Sequence, residues 1–591
     1  MKPLQCTRHR PPCQRRGPYA GCVGLASALL LLSSVCLAAA KPITEQVHEV
    51  VLGNGMHVLL VQRPGTPNIA AGWVAHVGSS NERPGITGIS HLFEHMMFKG
   101  SPRIGTKNNK LDTELRHKLD QLRTQMFAEE RNYRKAVRHG YADAIDDASL
   151  QTEQMKALRK QFGELTEEQR KNIVKDEYDS IYTKQGATFM NAFTTEDLTA
   201  YFVQVPKNKL ELWFWMESER ISQPVFREFY SERDVVFEER RMRTESTPTG
   251  VPDEVFNSLF WRGSTYAWPV VGWPSDISAI TRAQAEHYFG VYYAPNNLTA
   301  AIVGDFDEKQ AKKWAEAYFG RIPRGKELPP DVITQRTPQM GTITYRAEVD
   351  APPSAGIRFP TTAFNGKDAP ALNVLASVLS GKTGRLYKRL VLKDKIATKV
   401  TANEDGHKYA GDFTLSAEGV SDVTPEKLQS VLLQEVKKIQ QDGISDYELE
   451  KVKNQISASK YRRIREPFGL LIQLLFYDGL DNWRSMDDVT NRALAVSREQ
   501  VQDVAKRFLV EDRMATKLYT RKSGSVEDPE LAQFTSRQKQ MVKQMLMQMK
   551  SVPAAKRSAA VAKLQAMRGE APAPMQPVLD YVIGKLQAAD K

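Results

Sequence analysis

Past residue 40 the chain has no cysteine: all four, Cys6, Cys13, Cys22 and Cys36, lie in the first forty of its 591 residues. If that segment is removed, disulfides, a thiol nucleophile and Cys-ligated zinc or iron–sulfur sites are all excluded, and any metal chemistry has to use histidine and carboxylate. Long apolar runs are also missing after residue 40, where no stretch reaches the ~20 residues that span a bilayer. Excess charge of one sign is slight. The formal net charge is +12, but the first forty residues hold five Lys/Arg and no acid, leaving +7 for the rest. That is too mild to argue for a nucleic-acid partner, and none is expected. Hydrophobic residues at 41% and charged residues at 26% exclude a largely disordered or collagen-like chain.

Residues 1–21 are basic, through Lys2, Arg8, Arg10, Arg15 and Arg16. From about Cys22 to Leu37 the residues are apolar or small, and Ala38-Ala39-Ala40 offers a small-residue cleavage site before Lys41. That order predicts a secretory signal peptide at 1–40. The alternatives are an uncleaved anchor and lipidation at Cys36, which Val35 just before it disfavours. The expected location is periplasmic or otherwise exported, with membrane contact only through the signal segment if it is retained.

Beyond it, His48–Leu52, Met56–Val61 and Asn68–Val77 read as strands, with Gly53-Asn54-Gly55 as a turn. Leu298–Val303 is another strand. A similar order returns, with strands at Gly341–Glu348 and Ser354–Phe359, helices over 368–379, 424–442 and 445–466, and a helix end, turn and strand over Arg507–Tyr519. The passages lie roughly 285 residues apart, which suggests one unit used twice. The predicted fold is α+β, two similar domains each made of a mixed sheet packed with helices. They are expected over 41–324 and 338–521, joined by a linker at 325–337.

Residues 103–186 interrupt the first domain. Leu111, Leu115, Leu119, Leu122 and Met126 recur at helical spacing, a second helical stretch runs from about 147 to 178, and Gly140 lies between, so a helical hairpin is predicted. It enters and leaves close to the residues singled out below. It is therefore expected to gate entry or meet a partner, and to be dispensable to the core. The tail, 522–591, reads as helical pieces broken by Pro553, Pro572, Pro574 and Pro577, with Met541, Met545 and Met549 as a packing stripe expected to dock on the second domain.

The segment that carries chemistry is Gly88–Gly100. On a helix, His91 and His95 face the same way, and two neutral imidazoles so spaced can bind one Zn²⁺. Glu94 sits beside His95 and can take the proton of a water that zinc acidifies, then pass it to a leaving amine. The order His-x-x-Glu-His inverts the commoner zinc-peptidase motif. A third ligand is wanted. Farther on, Glu232–Arg241 reads as a helix on which Glu232 and Glu239 share a face while Glu238 points elsewhere.

Taken together these residues resemble the pitrilysin/insulinase family of zinc metallopeptidases, in its mitochondrial-processing-peptidase-like branch. Gly88–Gly100 resembles that family's zinc helix. Asn191-Ala192-Phe193-Thr194, with Asp197, Thr199 and Tyr201, resembles the strand on which substrate backbone docks. Glu232 and Glu239 resemble its acidic helix. Pro269-Val270-Val271-Gly272 and Tyr293–Asn297 resemble the end of its first domain, and Leu379-Ser380-Gly381 with Arg385-Leu386-Tyr387 its second. The resemblance implies two similar domains forming half of a clamshell, Zn²⁺ as cofactor, and peptide-bond hydrolysis in a closed chamber. It implies His91, His95 and Glu239 as metal ligands, and Glu94 as general base. It gives Glu232 the role of a catalytic acid that orients the ligands, and Asn191 and Ala192 that of substrate binding.

Two departures stand out. The interval from His95 to Glu239 is nearly twice the family's usual one, and the insertion accounts for the excess. Active members also use an Arg and a Tyr, seven residues apart, to hold substrate; at the matching positions this chain has Val391 and Thr398. The expectation is an exported zinc endopeptidase subunit acting on peptides or unfolded polypeptides. It would pair with a homologous, non-zinc partner subunit that supplies the missing residues, as a heterodimer. The alternative is a non-catalytic structural or assembly subunit of the same fold.

Overall fold

The computed structural model describes residues 42–142, 150–522, 531, 533–550, 554–572 and 575–589. The expected signal peptide lies outside the described residues. Eleven strands among those described form two sheets. The first contains β1 (His48–Val51), β2 (His57–Gln62), β3 (Asn68–Ala75), β4 (Thr188–Thr194), β5 (Thr199–Pro206) and β6 (Leu298–Gly304), in the order β1-β2-β6-β3-β5-β4. The second contains β7 (Ile343–Val349), β8 (Ser354–Thr361), β9 (Ala397–Gly406), β10 (Gly411–Gly419) and β11 (Ala515–Arg521), in the order β7-β11-β8-β10-β9.

Without β1, the two sheets are the same diagram. In each, the first two strands of the order pair parallel and every later pair is antiparallel. The chain is thus α+β with two similar domains. Each domain also has its own apolar core, Trp73, Phe93, Trp213 and Ile302 among others in the first, Phe359, Leu375, Phe413 and Leu432 in the second.

β3 reads Ile69-Ala70-Ala71-Gly72-Trp73-Val74-Ala75 because both faces of its sheet are covered. One face meets α1 (Ile89–Met96) and a helix carrying Trp213 and Phe214. The other meets a helix from far along the chain, Pro467–Leu480, whose Leu470, Leu471, Leu474 and Leu475 pack on Val61, Ala70, Val74 and Val303. The second half of the sequence therefore completes the core of the first sheet.

The insertion is a pair of helices, α2 (Asn109–Arg138) and α3 (Glu153–Asn172), capped by Asn108 and Thr152 side chains. A short helix, α4 (Glu177–Lys184), follows. Only the far end of the hairpin has a separate core, of Met126, Tyr133, Met155 and Leu158. Its base does not stand apart from the domain as expected. Leu119 belongs to the first domain's core, and Phe162 and Leu165 pack against it.

Val542, Val578 and Val582 pack on one another with Leu531 and Phe534, and Met541 and Met545 lie against that cluster. Among the described residues Met541 and Met545 of the stripe meet the cluster that the tail forms with its own last helix, Gln576–Ala589.

Candidate metal centre

α1 is held at its N-terminus by groups that fix its direction. Glu82, buried, accepts from the backbone N–H of Gly88 (2.7 Å) and of Ser90 (2.8 Å), and so satisfies two free donors of the first turn. Gly88 caps the helix with φ +89° against Gly272, φ +86°, whose segment crosses so closely that a Cβ on Gly88 would lie 2.4 Å from the Val271 carbonyl oxygen. Ile89, Leu92, Phe93 and Met96 face the core. His91 and His95, one turn apart, are left toward the acidic helix, their rings 5.0 Å apart.

That helix follows α5 (Leu210–Ser222) and is α6 (Phe229–Arg240). Glu239 Oε2 lies 3.2 Å from His95 Nε2 and 3.8 Å from His91 Nε2, and its Oε1 receives Arg243 at 2.8 Å. Glu232 Oε2 lies 3.5 Å from His95 Nδ1, and its Oε1 binds Lys99 at 2.5 Å. The donor atoms of His91, His95 and Glu239 all fall within 4.8 Å of one another. A tetrahedral zinc with bonds of 2.0–2.2 Å separates its ligand atoms by about 3.3–3.5 Å, so the observed spacings bracket what the ion needs. Two imidazoles and a carboxylate are also the donor set of an open zinc site. The residues present fit the ion.

The electrostatics favour the same use. Burial, with the nearby His95, pushes the His91 imidazole down to about 3, so it stays neutral. Burial pulls on His95 too, but Glu232, Glu239 and Glu94 outweigh it and its pKa rises. Glu232 is held low despite burial, by His95 and Lys99. Burial lifts Glu94 above the ordinary carboxylate range, with the charge of Glu239 adding to the effect.

Asn191 and Ala192 lie on β4, the outer strand of the first sheet, paired on one side only, with β5. Asn191 is exposed and joins Glu94, His95, Phe98 and Tyr178 in lining a cavity of about 690 Å³. From Thr188 to Thr194 this edge has no charged residue, although free edges are usually guarded by charge. Val391 packs against the second domain's core, and the Thr398 hydroxyl turns to Glu418 at 3.3 Å. Arg385 is committed to Glu448, with two bonds of 2.7 Å.

Sequence reading missed two parts of this region. Lys99, in the turn just past the end of α1, ties Glu232 in place, and nothing in its local spacing announced that. The other is a buried cluster under α1. Glu217, on α5, accepts from Trp73 Nε1 (2.6 Å), Tyr178 OH (3.0 Å) and Tyr182 OH (2.7 Å), and pairs with Arg220, which sits among the rings of Trp73, Phe98, Tyr178 and Tyr201. Those partners come from four separate stretches of chain, which no local pattern joins.

Two family models match the chain. The insulinase (peptidase family M16) model matches residues 57–185, and the peptidase M16 inactive domain model matches residues 279–456. The chain carries M16-family peptidase domains. It is 24% identical over 439 residues to the zinc protease PqqE of Helicobacter pylori, covering 73% of this chain and 83% of that protein. Among solved structures, a protease from Helicobacter pylori superposes with a TM-score of 0.65 at 22% identity, over 80% of this chain and 99% of that one. The periplasmic protease PqqL from Escherichia coli superposes with a TM-score of 0.59 at 16% identity, over 82% of this chain but only 49% of PqqL. At these identities the structures speak for the fold, which is that of half a clamshell.

Proposed function

We propose that this M16 chain is the zinc-bearing subunit of an exported endopeptidase, in the family branch that resembles mitochondrial processing peptidase. The observation that carries the reading is the meeting of His91, His95 and Glu239 donor atoms within 4.8 Å, with Glu94 on the same helix and an uncharged sheet edge alongside. His91, His95 and Glu239 would hold Zn²⁺, which when bound supplies the charge that makes a water acidic near neutral pH. Glu94, half-buried beside His95, accepts the water's proton and returns it to the leaving amine. Glu232 holds the His95 ring from its far nitrogen. An extended peptide adds to β4 at Asn191 and Ala192, its backbone meeting the strand's free side.

The second domain lacks charge-stabilising donors where the family uses them. Val391 is apolar, Thr398 is turned to Glu418 and Arg385 to Glu448. The inactive-domain model over 279–456 and the fit to about half of PqqL support a partner chain that supplies them. The same two facts favour the second reading, a non-catalytic assembly subunit. The test is zinc content and cleavage of a quenched peptide by the native complex. One zinc per chain and chelator-sensitive hydrolysis support an enzyme; zinc without hydrolysis in any complex supports the second reading.

A further inference from the structure

One buried arginine joins the two helices of the metal site to the insertion. Arg227 ends the segment leading into α6; Glu228 after it has φ +57°, and α6 begins at Phe229. Its guanidinium, 1% exposed, donates to the carbonyl oxygens of Lys99 (2.8 Å), Ile104 (3.0 Å) and Ser101 (3.3 Å). Those carbonyls belong to the loop that leaves α1 just after His95. The loop wraps so tightly that a Cβ on Gly105, φ +92°, would lie 2.7 Å from the guanidinium. Arg227 therefore pins the start of the helix bearing Glu239 to the end of the helix bearing the histidines.

The counter-charge comes from the insertion. Asp112, on the first turn of α2 and fully buried, lies 3.2 Å from Arg227 Nε. Its carboxylate also accepts from Arg116 (3.0 Å) and Gln169 of α3 (3.3 Å), which aim it. Two turns along α2, Asp120 accepts from the hydroxyl of Tyr230 on α6 at 2.9 Å and pairs with Arg282. Asn172 closes the hairpin's neck, bonding Thr106 and both backbone groups of Asn108. The inner side of α2 thus grips the N-terminal half of α6, the half that contains Glu232.

We propose that the insertion sets the geometry of the metal centre, with Asp112 as a positioning residue that, through Arg227, fixes α6 and its Glu239 against α1. This rests on the reading of His91, His95 and Glu239 as zinc ligands. Removing the carboxylate's charge leaves Arg227 buried without a counter-ion, and α6 loses its register to the histidines. Groups that bond a metal's ligands directly typically carry ~10- to 100-fold in metal affinity; Asp112 acts at least one step farther out, through Arg227, so its effect falls at or below the lower end of that range.

The experiment measures zinc affinity of the full chain, by competition with a chromophoric chelator, for wild type, Asp112→Asn and the neutral pair Asp112→Asn with Arg227→Gln, beside their melting curves. We expect Asp112→Asn to bind zinc more weakly, by up to about 10-fold, at a temperature where it is folded. The neutral pair should recover part of the lost melting temperature, because no buried charge is left unpaired, but not zinc affinity, because Gln cannot span three carbonyls. In the native complex, kcat should fall while KM for peptide holds, since β4 is untouched. Wild-type zinc affinity in either folded variant overturns the proposal, and so does failure of both to fold, which would make Asp112 a core residue only. Failure of wild type itself to bind zinc would instead refute the assignment of the ligands.

Discussion

Glu232 Oε2 lies 3.5 Å from His95 Nδ1, on the side of the ring away from Glu239. That contact selects the tautomer whose Nε2 lone pair points to the metal centre. Glu232→Gln should therefore weaken zinc binding ~10- to 100-fold, less than loss of a ligand would. Chelator competition on the purified variant checks this. Unchanged affinity would reduce Glu232 to a partner of Lys99.

His91→Ala should do more. It leaves two of three ligands, so the variant should lose most of its metal during purification. Elemental analysis of the dialysed protein reads the result. Retention of one full equivalent would place the zinc elsewhere.

The insertion can be shortened but not removed. Joining α2 to α3 just beyond Arg123 and Phe162 discards the far core of Met126, Tyr133, Met155 and Leu158 together with Glu130, the 2.7 Å partner of buried Arg123, so the short form also carries Arg123→Gln. Deleting 103–186 outright takes Ile104, Leu119, Tyr178 and Tyr182 out of the first domain's core, and each large buried side chain lost costs about 2–5 kcal/mol. Melting curves should show a small shift for the short form and loss of the cooperative transition for the full deletion. A full deletion that melts like wild type would contradict the shared core.

The Arg385–Glu448 pair gives a pH dependence. Its hydrogen bonds to Arg385 hold the Glu448 carboxyl down to about 2, against an unfolded value of 4.5. A depressed acid stabilises the fold above the unfolded pKa, and that stability disappears as pH falls toward the folded one. For this half-exposed pair the contribution is about 1–2 kcal/mol after solvent screening. Glu448→Gln should therefore melt lower than wild type at pH 7, and the gap should close between pH 4.5 and about 2. A gap independent of pH would mean that Arg385 is stabilised by other contacts.

Much of this arrangement was legible in the sequence, and the residues show why. His91 and His95 sit one helical turn apart, so their shared direction follows from spacing alone. The repeated sheet was visible because strands alternate locally and β2–β3 return as β7–β8 at a constant offset. β9 and β10 went unread because their alternation is broken by charged residues such as Lys399, Glu404 and Asp405, on a strand only partly covered. The tie between Arg227 and Asp112 left no signal, since each alone looks like one more charge in a charged stretch. The cover of β3 by Pro467–Leu480 was equally hidden; an apolar helix does not say which sheet it will meet. The tail's methionine spacing was read correctly as a packing face, but spacing names no partner.

The central claim is that Glu94 performs chemistry at a zinc that His91, His95 and Glu239 hold. It is tested most directly by Glu94→Gln in the native complex, measuring zinc content and quenched-peptide turnover on the same sample. The amide keeps the shape but cannot accept the water's proton, so the account predicts one zinc per chain and hydrolysis reduced by at least ~10²-fold. Turnover close to wild type with zinc in place would contradict it.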